Sequence, residues 1–304
     1  MAVLSTALRV AILAALLVVA LVGSGAAQSA SGAAQSTPSP GPAFSVRDVT
    51  VAVGERSFDA RVYAPSVAGP HPVIVFGHGY LATVERYDST LSALARAGFL
   101  VVAPRSGDGL FPDHAAFAAD FSVVLDWLET QDADPGSWLH GSVLHGAYGA
   151  SGHSMGGGAS LLAAAADPRF VTVANLAAAE TRPSAIAVMS SITAPVLLIG
   201  GSEDAIAPVA DHQLPLFEAK TNGPAQLRVI QGGSHCGFLD PDALLALACD
   251  NGSLPVDAQL HVTARLLTDW LRYQLLGDDT RGAVVWPTAG DAQVSLDQRD
   301  RPMP

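Results

Sequence analysis

Apolar and polar positions alternate over Val46–Val53 and Phe58–Tyr63, with Gly54-Glu55 between them. Period-2 patterning flanking a turn dipeptide predicts two half-buried strands in a hairpin. Further along, the pattern changes. A short, continuous apolar run appears at Val73–Phe76, and further mainly apolar strand segments at Phe99–Ala103, Tyr148–Gly152, Phe170–Ala174, Val196–Ile199 and Leu227–Ile230. Runs of that length bounded by Gly and Pro read as strands buried on both faces. Between them the period lengthens to that of a helix. Leu91, Leu94 and Ala95 share a face over Tyr87–Ala97, which Gly98 stops, and Phe117, Phe121, Val124, Leu125 and Leu128 share another behind a capping Asp113. Ser154–Ala166 is also helical in pattern, and Asp257 is placed to cap a last helix with Leu260, Ala264, Leu267 and Leu271 on one stripe. Strands alternating with helices pair in parallel and carry the helices on both faces. The expected fold is therefore α/β with a mostly parallel central sheet, whose site lies at the carboxyl ends of the strands.

The two ends depart from this pattern. Val10–Val22 is an unbroken apolar run after the single charge Arg9, and Gly25-Ala26-Ala27 follows. The run is shorter than the ~20 apolar residues of a spanning helix, and the small residues fit a cleavage site, so residues 1–27 read as a secretory leader rather than an anchor. Residues 28–42 are Ser, Ala, Gln, Gly and Pro, together with Thr37, and read as a flexible linker. Residues 43–276 form one expected domain, and 277–304 a tail in which Val284, Val285 and Trp286 are expected to add a short docked strand. Composition narrows the function. Sixteen Lys and Arg against 28 Asp and Glu give a net charge of −12, which repels phosphate backbones and argues against nucleic-acid binding. Two cysteines are too few for a zinc cluster, and no His, Asp and Glu group has ligand spacing, so neither metal nor cofactor is expected. No basic amphipathic helix for membrane binding is present.

One motif carries chemistry. Gly152-His153-Ser154-Met155-Gly156 lies between a predicted strand and a predicted helix. A G-x-S-x-G sequence in that context forms a sharp turn that lifts the serine hydroxyl off the sheet. At the helix N-terminus, backbone N–H groups can stabilise a developing negative charge. A serine nucleophile needs a base, and the base an orienting carboxylate. His235, after the Leu227–Ile230 strand, and Asp204, after Val196–Ile199, are the candidates, in the chain order Ser, Asp, His that this motif takes. Glu203 is the rival acid. His212 and His261 lie near or within helices, and His140 and His145 precede the serine strand. For the oxyanion, one donor is the N–H of Met155. The second comes from the loop after the first parallel strand, Gly77-His78-Gly79-Tyr80, with Tyr80 N–H the choice. His78 reads as a loop-shaping residue, and alternatively as a second base.

These residues resemble the α/β-hydrolase fold. Gly152–Gly158 with Ser160-Leu161 is similar to the elbow of bacterial cutinases and polyester hydrolases, and Pro195–Ile199 through Asp204–Pro208 to their acid strand and loop. Ser234-His235 matches their base. His78–Leu81 and Gly98–Pro104 look equally like chlorophyllases, and dienelactone-hydrolase-like esterases are also similar. The resemblance spans about residues 45–275 and implies a secreted serine ester hydrolase. The same residues would also serve a chlorophyllase-like or other specialised esterase, an exported acyltransferase, or a non-catalytic binding protein. Acyl chain length and oligomeric state stay open. Two departures stand out. Polyester-cleaving relatives carry an aromatic shortly after the strand that follows the elbow, where this chain has Asn175-Leu176-Ala177-Ala178-Ala179-Glu180. Tyr80 does match the aromatic beside their oxyanion hole. Chlorophyllases carry a basic residue after the serine, where this chain has Met155. Finally, Cys236 and Cys249 in an exported chain are expected to form a disulfide that pins the His235 loop.

Overall fold

The computed structural model describes residues 42–242 and 249–300. The expected leader, and the linker up to residue 41, lie outside the described residues. In chain order the elements are β1 (Phe44–Val53), β2 (Arg56–Pro65), β3 (His71–Gly77), α1 (Asp88–Arg96), β4 (Leu100–Pro104), α2 (His114–Ala133), β5 (Val143–His153), α3 (Met155–Ala166) and β6 (Phe170–Leu176). Then follow α4 (Ala185–Val188), β7 (Val196–Gly201), α5 (Gln213–Ala219), β8 (Ala225–Ile230), α6 (Val256–Leu276), α7 (Gly282–Val285) and β9 (Val294–Arg299).

The strands form one sheet in the order β1-β2-β4-β3-β5-β6-β7-β8-β9. From β4 to β8 neighbours run parallel, while β1, β2 and β9 are antiparallel additions at the two edges. Successive side chains of a strand point to opposite faces, and β3 shows the consequence. Val73 and Val75 join one core, with Phe117, Phe121 and Leu161 of α2 and α3. Ile74 and Phe76 join the other, with Leu91 of α1 and Leu267, Trp270 and Leu271 of α6. A strand that feeds two cores is a continuous apolar run, which is why alternation disappears from residue 73 onward. The fold class is as the pattern predicts.

Several boundaries differ from expectation. Asp113 caps α2, accepting from Ala115 N–H and Ala116 N–H at 3.0 Å each. Asp257 does not cap α6: the helix starts behind Pro255, whose extended backbone (ψ 141) ends the preceding segment, and Asp257 falls inside the first turn. The strand expected at Val284–Trp286 is absent. Those residues make and end the helical turn α7, and Trp286 is buried with its ring 5.5 Å from that of Trp270. The strand in this stretch is β9, paired antiparallel to β8.

Candidate active site

Ser154 stands between the last residue of β5 and the first of α3 with φ 55 and ψ −119. An L-residue in that region is strained by about 1–3 kcal/mol and persists only where its surroundings enforce it. Here the Ser154 N–H donates to Leu176 O at 2.9 Å, and its carbonyl accepts from Ala179 N–H at 2.9 Å and Gly158 N–H at 3.1 Å. The glycines of the motif permit the turn. A Cβ on Gly152 would sit 2.4 Å from Gly156 O, and one on Gly156 would sit 2.2 Å from Gly77 O. The N–H groups in the first turn of a helix have no partner within it, so Met155 N–H is free of helical bonding beside the serine.

Across from the elbow runs the loop after β3. A Cβ built on Gly79, the residue before Tyr80, would lie 3.4 Å from Ser154 Cβ. His78 is buried and engaged with backbone, Nδ1 at 2.9 Å from Gly79 O and Nε2 at 2.9 Å from Ser106 O. This is the loop-shaping position, not one that faces the serine with a free nitrogen. Tyr80 Oη donates to Leu110 O at 3.1 Å. Its ring belongs to an exposed apolar rim with Leu81, Leu110 and Phe111, the last 95% exposed.

His235 and Asp204 meet. Nδ1 of the imidazole is 2.7 Å from Asp204 Oδ2, and both residues are buried. The other carboxylate oxygen of Asp204 accepts from Ile206 N–H at 2.9 Å and Ala207 N–H at 2.7 Å. Glu203 points elsewhere, accepting from Ser253 N–H at 2.6 Å and Ser253 Oγ at 2.8 Å. His140 and His145 sit at the far end of β5, against Asp132. Cys236 and Cys249 are joined by a disulfide, with Cα atoms 5.7 Å apart.

Three further residues shape the site without a signal in the motif. Asp250 accepts from Ala205 N–H (3.0 Å), His235 N–H (2.9 Å) and Cys236 N–H (3.0 Å), so one carboxylate latches the acid loop to the base loop. Its sequence clue is its place beside Cys249. Gln259 of α6 brackets Ser234 from below, Oε1 accepting from its N–H at 3.0 Å and Nε2 donating to its carbonyl at 2.8 Å. His153, the variable position of the motif, is buried with its ring 4.5 Å from that of His235. Burial, then the neighbouring His235, hold its pKa well below the ordinary imidazole range. On the side where relatives carry an aromatic, Ala178 and Ala179 lie against Gly157 and Gly158. Glu180 turns its carboxylate to Ile186 N–H at 2.9 Å.

A strained serine on a strand-to-helix elbow, at the carboxyl end of a mostly parallel sheet, defines the α/β-hydrolase fold. A family model described as PET hydrolase-like matches residues 26–248, and the chain belongs to that family. It is 28% identical to cutinase est1 of Thermobifida alba over 52% of this chain and 51% of that protein. It is 28% identical to the bis(hydroxyethyl) terephthalate hydrolase of Streptomyces coelicolor over 51% of this chain and 48% of that one. Against chlorophyllase-1 of Arabidopsis thaliana it is 33% identical over 22% of this chain and 21% of the relative. The chain spans about half the length of the cutinases it matches. These findings bear out the resemblance to cutinases, polyester hydrolases and chlorophyllases. Among the described residues no helix is long and apolar enough to cross a membrane.

Proposed function

We propose that this protein is a secreted serine carboxylic-ester hydrolase. The observation that carries the reading is the buried Asp204–His235 contact at 2.7 Å, with the His235 ring 4.5 Å from that of His153, the residue before the strained Ser154. In this mechanism Ser154 Oγ attacks the ester carbonyl and His235 Nε2 takes its proton. Asp204 holds the imidazole with its proton on Nδ1 and stabilises the imidazolium. The N–H groups of Met155 and Tyr80 receive the oxyanion, each worth on the order of 10²–10³ in rate. The alcohol leaves with the proton from His235, and water, activated by the same imidazole, releases the acid from the acyl-enzyme. The apolar chain of the ester lies along the rim of Tyr80, Leu110 and Phe111. The leader over residues 1–27 directs export, and the disulfide Cys236–Cys249 suits an oxidising compartment.

Hydrolysis of p-nitrophenyl esters from acetate to long chains, beside Ser154→Ala and with fluorophosphonate labelling, tests the reading. Turnover and labelling should both vanish in the variant, with turnover down about 10⁴–10⁶-fold. A folded wild type that neither turns over any ester nor takes the label would refute it.

A further inference from the structure

We propose that Tyr87 is a positioning residue whose hydroxyl aligns the oxyanion loop with the nucleophile elbow; the inference rests on the esterase reading. Tyr87 ends the turn Val84–Tyr87 ahead of α1 and is fully buried. Its ring lies between Phe76, 5.0 Å away, and His153, 5.7 Å away. A phenylalanine would fill that space equally well. The hydroxyl has two partners, both in the site. It accepts from Gly79 N–H at 2.9 Å, one residue before the proposed donor Tyr80, and lies 2.9 Å from His153 Nδ1, one residue before Ser154.

A phenol has one proton to give. Gly79 N–H occupies a lone pair of the phenol, and among the described residues His153 Nδ1 is the acceptor within reach of its proton, so the proposal places that proton in the bond to Nδ1. His153 is then neutral, with its own proton on Nε2, which has no hydrogen-bond partner among the described residues. An uncharged ring therefore packs 4.5 Å from His235 and 5.8 Å from Phe238. When His235 becomes an imidazolium it meets no second positive charge. One buried oxygen thus sets the amide preceding the oxyanion donor, the residue preceding the nucleophile and, through the ring of His153, the bed on which the base rests. Misplacement of reacting groups by about 1 Å costs on the order of 10² in rate, so this alignment acts on turnover more than on binding.

Tyr87→Phe keeps the ring and removes the oxygen. On p-nitrophenyl butyrate, kcat should fall about 10- to 100-fold with KM within about twofold. The affinity for a boronic acid, whose tetrahedral adduct uses the same donors, should fall in parallel with kcat. A kcat within twofold of wild type, or a change in KM alone, would overturn the proposal. Should the variant not fold, nitrogen-15 NMR of histidine-labelled wild type at pH 7 decides: His153 with an unprotonated Nδ1 supports the relay, and a proton on Nδ1 overturns it. A wild type without turnover or fluorophosphonate labelling is a failure of the esterase reading, and the tautomer measurement remains separate from it.

Discussion

Replacing Asp250 by Ala removes the latch between the acid and base loops. Three backbone N–H groups lose a carboxylate acceptor, at 3.0, 2.9 and 3.0 Å. A hydrogen bond to a charged group contributes about 1.5–3 kcal/mol net. The three share one half-exposed carboxylate, and water can replace part of what is lost, so their contributions do not add in full. The expected loss is about 2–4 kcal/mol. At a urea m-value of about 2–3 kcal/mol/M, that moves the unfolding midpoint down by about 1 M. The imidazole of His235 keeps Asp204 and the disulfide remains, so activity falls rather than disappears, by about tenfold in kcat for a sub-ångström displacement of the base. Asp250→Asn sharpens the test. Its amide nitrogen faces either Cys236 N–H or the pair from Ala205 and His235, a donor against a donor, so it rescues only part of both losses. The readouts are urea unfolding followed by circular dichroism and p-nitrophenyl ester kinetics on the same preparations. A midpoint and a kcat both indistinguishable from wild type in Asp250→Ala would refute the latch.

Lys220, the only lysine of the chain, is fully buried with no hydrogen-bond partner for Nζ among the described residues, and burial lowers its pKa to about 8. An unfolded chain holds that proton to about pH 10.4, so over pH 8 to 10 the unfolded state binds more protons and stability rises with pH. Lys220→Met should raise the melting temperature most at or below pH 8, and a gain that stays constant up to pH 10 would contradict this. Phe111→Ala should raise KM for long-chain esters several-fold and leave acetate turnover within twofold; equal effects on both would remove Phe111 from the substrate path. Gly156→Ala would place a Cβ 2.2 Å from Gly77 O and 2.6 Å from His78 O, neither of which can yield without moving β3. It should cost more than about 4 kcal/mol, and a native-like urea midpoint would show the elbow to be looser than its geometry.

The interior of the sheet is legible because strands such as β3, β4 and β7, which are buried on both faces, are close to continuous apolar runs. The edges are less so. In β9 only Val294 is buried, and the strand is held by backbone pairing to β8 that no side-chain pattern records. Trp286 is apolar among turn residues, a pattern that suits a strand, yet it is buried in contact with Trp270 of α6. At the site, Ser154 and His235 carried a motif and a place after a strand. The choice between Glu203 and Asp204 depended on which carboxylate turns inward, and adjacent residues look alike in sequence. Asp250 and Tyr87 were invisible for a different reason. The partners of Asp250 are backbone N–H groups of Ala205, His235 and Cys236, and one partner of Tyr87 is that of Gly79, groups that every residue but proline has.

That observation also separates two parts of the site. His235, the proposed base, is restrained three ways: Asp204 on its ring, Asp250 on its backbone and the Cys236–Cys249 bond on the next residue. The nucleophile is restrained by glycine contacts too close for any other side chain. The rim is restrained by little. Tyr80 is tied to Leu110 through a hydrogen bond of its hydroxyl, and Phe111 is 95% exposed. On the proposed reading, substitutions at Leu110 and Phe111 can therefore change which ester is accepted without disturbing the groups that break it. Substitutions at Asp250, Gly152 or Gly156 act on chemistry and stability together, whatever the ester.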